Sequence, residues 1–148
     1  MSDAESLEAI RQLKARYFRL LDQKRWDEWA QVFTEDVVID TRDDGVAELM
    51  EGRDNFVESL RPLIAEAQTT HHGHMPELEL TGPDTATGVW AMEDHVIWPP
   101  EQGGMHLWGN GWYEEEYRRG SDGVWRIAHM KLRRKRVTID GKQVFPPT

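Results

Sequence analysis

The sequence predicts one α+β domain, in which N-terminal helices pack into a strongly bent, mainly antiparallel sheet that encloses a pocket. Three observations predict it. Apolar residues recur at helical spacing through the first half of the chain and then give way, from Thr69 onward, to long strand-like runs punctuated by Gly and Pro. At 148 residues with no long apolar run, the chain has room for a single domain spanning 1–148. Seven tryptophans against three tyrosines also point to an apolar-walled interior, because Trp fills or lines cavities where its N–H finds a partner.

The elements follow in order. From Ser6 to Gln23, Leu7, Ile10, Leu13, Tyr17, Leu20 and Leu21 form the apolar face of an amphipathic helix. A shorter helix is expected from Trp26 to Phe33, with Asp22 available to cap its start. Val37-Val38-Ile39 reads as a short strand turned at Asp43-Asp44-Gly45, with Val46 to Met50 returning beside it. A third helix fits Arg53 to Ala67, with Pro62 an awkward interior residue. Four long strands then follow over 69–80, 86–98, 105–117 and 124–139. Helices before a run of hairpin-linked strands mean a bent sheet wrapped on helices, which leaves a conical interior. Gly109 and Gly111 are natural places for a bulge or bend.

Composition excludes several functions. Eighteen Lys and Arg against 27 Asp and Glu give a net charge of −9, which repels phosphate backbones and anionic lipid. Nucleic-acid and membrane partners are therefore not expected. With no cysteine there is no thiol nucleophile, thiolate metal site or disulfide, and the N-terminus lacks an export-signal pattern, so a cytoplasmic protein is expected.

Several side chains could carry chemistry. On a helix of about 3.6 residues per turn, Tyr17 and Asp22 flank one apolar face, so a phenol and a carboxylate can reach one cavity. The same spacing fits a core tyrosine and a helix-capping aspartate. Of the three histidines His71, His72 and His74, strand alternation sends the last two to one face and His71 to the other. No third ligand is identifiable from spacing, so no metal site is expected. Asp94 shares strand parity with Trp90 and Met92 and faces inward if they do, where a carboxylate needs a partner. In Lys131–Arg136, Arg134 and Arg136 share a face with Met130 and Leu132. That fits a solvated strand end, or an Arg134 at the pocket mouth pairing with an anionic substrate group.

The run from Ile10 to Asp22 followed by Trp26-Asp27-Glu28 resembles the opening of the SnoaL-like group of the nuclear-transport-factor-2-like superfamily. His71 to Leu78, Thr85 to Trp90, Glu93-Asp94 and Gly120–Trp125 leading into an arginine-containing last strand agree with it. The relatives seen in this resemblance are the bile-acid 7α-dehydratases and, further off, scytalone dehydratase and hexachlorocyclohexane dehydrochlorinase. The resemblance implies an NTF2-like cone and a cofactor-free, dehydratase-type lyase. His71 would be the base, Asp22 its partner and Tyr17 a donor, with Asp94 and Arg134 positioning substrate. Thr41 stands where those enzymes carry a tyrosine, which removes one phenol donor and argues against steroid-type recognition. Thr41, Trp90 and Trp112 are expected to complete a tryptophan-lined binding site for a small or medium carbonyl compound. An isomerase or cyclase using the same base, or a non-catalytic ligand-binding or interaction module, are the alternatives. Trp108, Trp112 and Trp125 exceed what one small core needs, and relatives form trimers or dimers, so a homotrimer or homodimer is expected.

Overall fold

The computed structural model describes residues 1–148. Helix α1 runs from Asp3 to Asp22, three residues earlier than its apolar spacing suggests. Ser2 sets that start: its Oγ accepts from the Glu5 N–H at 3.1 Å while the Glu5 carboxylate accepts from the Ser2 N–H at 2.9 Å. Its inner face, Ile10, Leu13, Tyr17, Leu20 and Leu21, is buried as expected. Helix α2 (Trp26–Ala30) stops short of Phe33, which instead opens strand β1 (Phe33–Asp40). Asp22 does not cap α2; the cap position is Arg25, whose side chain makes no capping bond and donates to Glu28 instead. Strand β2 is only Met50–Glu51, and helix α3 spans Arg53–Ile64 with Pro62 in its last turn.

The long strands lie close to expectation: β3 Gln68–Leu80, β4 Thr85–Ile97, β5 His106–Arg119 and β6 Trp125–Ile139. A further short strand, β7 (Lys142–Phe145), folds back on β6 and had no sequence signal. The sheet order is β2-β1-β6-β5-β4-β3 with β7 also on β6. All pairings are antiparallel except β1 with β6, which run parallel. The curved, unclosed sheet and its helices make the expected α+β cone, and α1 packs along its inner face. The core there is aromatic. Trp29 meets Phe33 edge to face at 5.1 Å, and Tyr17 packs on Trp29, Phe33 and Tyr113 at 5.7–6.0 Å between ring centres.

One irregularity positions the site. Asn110 pairs with Arg136 but Gly111 with Arg134, so Lys135 is an extra residue in β6. A Cβ on Gly111 would fall 1.9 Å from the Arg133 carbonyl oxygen, so only glycine fits opposite the bulge. The bulge resets the alternation. Met130, Leu132 and Arg134 face inward as expected, but Arg136 is exposed and Val137 takes the next inward place. No helix is long and apolar enough to cross a membrane.

Candidate active site

Inside the cone lies a cavity of about 670 Å³, walled largely by apolar side chains such as Leu21, Phe56, Ile64, Val96 and Leu132. Val144, Phe145 and Pro147, from β7 and the segment after it, also line it. Tyr17, Thr41, His71, Asp94 and Arg134 all reach its wall, so five of the expected site residues converge there. Asp22 stands just behind His71.

Asp22 is the last residue of α1, and β3 passes beside it. Its carboxylate accepts from the His71 backbone N–H at 2.8 Å, from the Thr69 hydroxyl at 2.9 Å and from His71 Nδ1 at 2.7 Å. Because a carboxylate only accepts, the neutral imidazole carries its proton on Nδ1 and presents an unprotonated Nε2. The His71 side chain is 10% exposed, and its Nε2 lies 3.9 Å from Asp94 Oδ2. Lys24 donates to the Thr69 hydroxyl and so braces the dyad from outside.

Asp94 is buried and paired. Arg134 donates to its two oxygens at 2.7 and 2.9 Å in a bidentate fork, and the Arg134 Nε–H donates to Asp44 at 2.8 Å. The Arg134 backbone N–H donates to Asp43. Burial works against the guanidinium charge, but Asp94 and Asp44 outweigh it and raise the Arg134 pKa. Both expectations for Arg134 are therefore corrected: it is neither a solvated strand end nor a free cation at the mouth, because two carboxylates already occupy it. Gly109 makes the fork possible. A Cβ there would fall 2.5 Å from Arg134 Nη1 and 2.9 Å from Asp94 Oδ1.

Two phenols share the wall. Tyr17 and Tyr113 are buried with rings 5.8 Å apart, and burial holds both phenol pKa values above the ordinary value. Both remain neutral donors at physiological pH. Tyr113 was not anticipated, although it shares strand parity with Gly111 and Tyr117 and a parity reading of β5 would have found it.

Beside these rings sits a buried ion pair that sequence reasoning also missed. Lys14 is fully buried; its Nζ donates to Glu115 at 2.7 Å and lies 3.7 and 3.6 Å from the ring centres of Tyr17 and Tyr113. Glu115 also accepts from the Tyr117 hydroxyl at 2.7 Å, and Tyr117 in turn accepts from Trp90 Nε1 at 2.9 Å. Burial pulls the Lys14 ammonium down to about 8, with Glu115 opposing. Breaking such a pair by removing one member costs about 3–5 kcal/mol, because a buried charge is stranded. Lys14 lies on the apolar face of α1, four residues after Ile10 and three before Tyr17, so periodicity alone could have flagged it.

Two expected binding residues do not line the cavity. Trp90 is core, held behind the wall by its bond to Tyr117. Trp112 alternates with inward Tyr113 and therefore points to the outer face of the sheet, 42% exposed. The one tryptophan on the cavity wall is Trp98, fixed by its Nε1–H to the Leu63 carbonyl at 2.8 Å. Thr41 holds its expected place, next to an Asp40 whose carboxylate accepts twice from the Arg42 guanidinium at 2.9 Å. His72 and His74 face out beside Glu93, at 3.7 and 3.5 Å. No group of three or more His, Asp or Glu side chains converges to hold a metal ion.

A curved α+β cone around an apolar internal cavity, here with a half-buried carboxylate–imidazole pair at its wall, is the architecture of a small NTF2-like domain. Residues 2–131 match the SnoaL-like domain, and the chain belongs to that family. It is 24% identical over 139 residues to the probable cyclase FGR4 of Gibberella zeae, covering 88% of this chain and 91% of that protein. Among solved structures, the Kfla4162 protein of Kribbella flavida superposes with a TM-score of 0.84 at 24% identity, over 92% of this chain and 95% of that one. The hexachlorocyclohexane dehydrochlorinase LinA-type3 of Novosphingobium barchaimii superposes with a TM-score of 0.76 at 19% identity, over 97% of each chain. At these identities the superpositions show a shared fold.

Proposed function

We propose that this protein is a cofactor-free lyase of the dehydratase type, acting on an uncharged, largely apolar β-hydroxy carbonyl compound of small or medium size. The observation that carries this reading is the 2.7 Å contact of His71 Nδ1 with Asp22, which in the neutral ring leaves Nε2 as the acceptor on the wall of a largely apolar cavity. In that setting the imidazole removes a proton from the carbon next to the carbonyl, and the C–H electron pair passes into an enolate. Tyr17 donates to the oxygen that gains charge, with Tyr113 beside it. The enolate then expels the β-hydroxyl, which takes a proton from the His71 imidazolium and leaves as water. The Asp94–Arg134 fork gives the wall beside Nε2 a fixed shape and polarity for positioning substrate. The substrate is uncharged in this reading because Arg134 already holds two carboxylates and offers no free cation.

A cyclase using the same base is the second reading, favoured by the name of the Gibberella zeae relative. A screen of hydroxy-carbonyl compounds read by mass separates the two: a dehydratase product has lost one water, whereas an isomerised or cyclised product of an addition step keeps its mass. His71→Ala is expected to lower turnover by about 10²–10⁴-fold with the fold retained. Wild-type turnover in that variant, or tight binders that all return unchanged, sinks the lyase reading.

A further inference from the structure

All three tyrosines of the chain converge on the Lys14–Glu115 pair: two present ring faces to the ammonium and the third donates to the carboxylate. An ion pair at this place has no evident purpose in stability. A buried pair is commonly replaceable by apolar residues of similar volume without loss, and an apolar residue at position 14 would continue the face formed by Ile10, Leu13, Tyr17 and Leu21. Lys14 does not line the cavity, whereas Tyr17 and Tyr113 do. It can therefore act on a ligand only through the phenols.

We propose that Lys14 is a positioning residue for the two cavity phenols: its ammonium, locked by Glu115, fixes the Tyr17 and Tyr113 rings and draws charge out of both, strengthening their hydroxyls as donors toward an oxygen that becomes negative. The physical basis is the electron-rich ring face, which attracts a cation most strongly where water is excluded. A phenol depleted in this way gives up more positive character at its hydrogen, and donors to a developing oxyanion act most strongly when preorganised. This inference rests on the lyase reading for its use, though not for its physics. The groups facing the ammonium are Tyr17 and Phe18 from α1, Tyr113 and Glu115 from β5 and Met130 from β6.

The test uses two ligands with the same ring, 4-nitrophenolate as a stable stand-in for an enolate and nitrobenzene as its counterpart without the oxyanion. It compares the wild type with Lys14→Met/Glu115→Gln, which removes both charges and strands neither. The expected result is affinity for 4-nitrophenolate lowered about 10-fold, with nitrobenzene changed less than about 2-fold. Equal changes for the two ligands, or a wild type that does not distinguish them, overturn the proposal. A second measurement needs neither the double variant nor substrate. With tyrosine labelled at Cζ, and the signals assigned through Tyr17→Phe and Tyr113→Phe, those of Tyr17 and Tyr113 are expected to move together with the Lys14 titration, and signals that stay still overturn the proposal. A protein with no turnover on any carbonyl compound would sink the lyase reading and leave these measurements to decide this one.

Discussion

Asp22 accepts three hydrogen bonds at once, and this crowding determines what Asp22→Asn would do. The His71 backbone N–H cannot become an acceptor, so the amide oxygen must face it. The amide NH₂ then faces the Thr69 hydroxyl and His71 Nδ1, which must accept instead of donate. The ring proton is driven to Nε2 and the base is lost, as when the aspartate of a hydrolase triad is replaced by asparagine. We expect kcat to fall about 10²-fold or more with a much smaller change in KM. Unchanged kcat with a lowered melting temperature would make Asp22 a structural ligand of β3 only. Asp40 gives a pH-dependent counterpart. The Arg42 guanidinium beside it holds its carboxyl down to about 2, against 3.8 ordinarily. The folded state therefore favours the charged form more than the unfolded state does, so this contribution is present above about 3.8 and is lost as pH falls through about 2. Asp40→Asn should unfold at a lower temperature than wild type at neutral pH, with the two melting curves converging toward pH 2. A gap that stays constant down to that pH would show that the carboxylate charge is not the cause.

Strand β5 passes so close to the Asp94–Arg134 fork that only glycine fits at 109, although the sequence marks that residue merely as a place for a bend. In Gly109→Ala the new methyl meets a guanidinium that cannot swing aside, because Asp94 and Asp44 hold it from two directions. We expect a loss of about 1–3 kcal/mol, read as a lowered unfolding midpoint in urea. A midpoint within error of wild type would mean that β5 shifts away at no cost. Such close approaches depend on elements distant in sequence, and this separates what was legible from what was not. The alternation of β4 correctly turns Trp90, Met92 and Asp94 inward, because no bulge interrupts its pairing with β5. Alternation fails at Arg136 because Lys135 is an extra residue, which no period-two pattern reveals. Lys14 lay in plain view on an apolar helix face, but its burial depends on Glu115, 101 residues away. The wealth of tryptophan suggests Trp90 and Trp112 for the pocket, but composition carries no direction. Parity with Tyr113 turns Trp112 outward, and the Tyr117 hydroxyl holds Trp90 in the core.

The outward turn of Trp112 matters for the whole molecule. The concave side of the sheet is filled by α1 and the cavity, so the outer face of β3 to β6 has no element of this chain to cover it. On that face Trp112 stands between Ala91 and Arg133, with Trp108 beside His95 further along the same strand. Trp112 is 42% exposed, and two of the charges beside it, Arg133 and Glu114, are paired with each other at 2.8 Å. A large exposed aromatic beside a paired Arg and Glu is suited to burial against a second copy, since Trp is enriched at the centres of interfaces. We therefore expect a homotrimer, or failing that a homodimer, assembled through this face. Light scattering at micromolar concentration should return two or three times the chain mass of 17.2 kDa. Trp112→Glu should lower that mass toward the monomer while leaving the Asp22–His71 geometry, on the opposite side of the sheet, undisturbed. A wild-type mass of one chain defeats the assembly outright, and an oligomer that Trp112→Glu does not weaken places the interface elsewhere on the molecule.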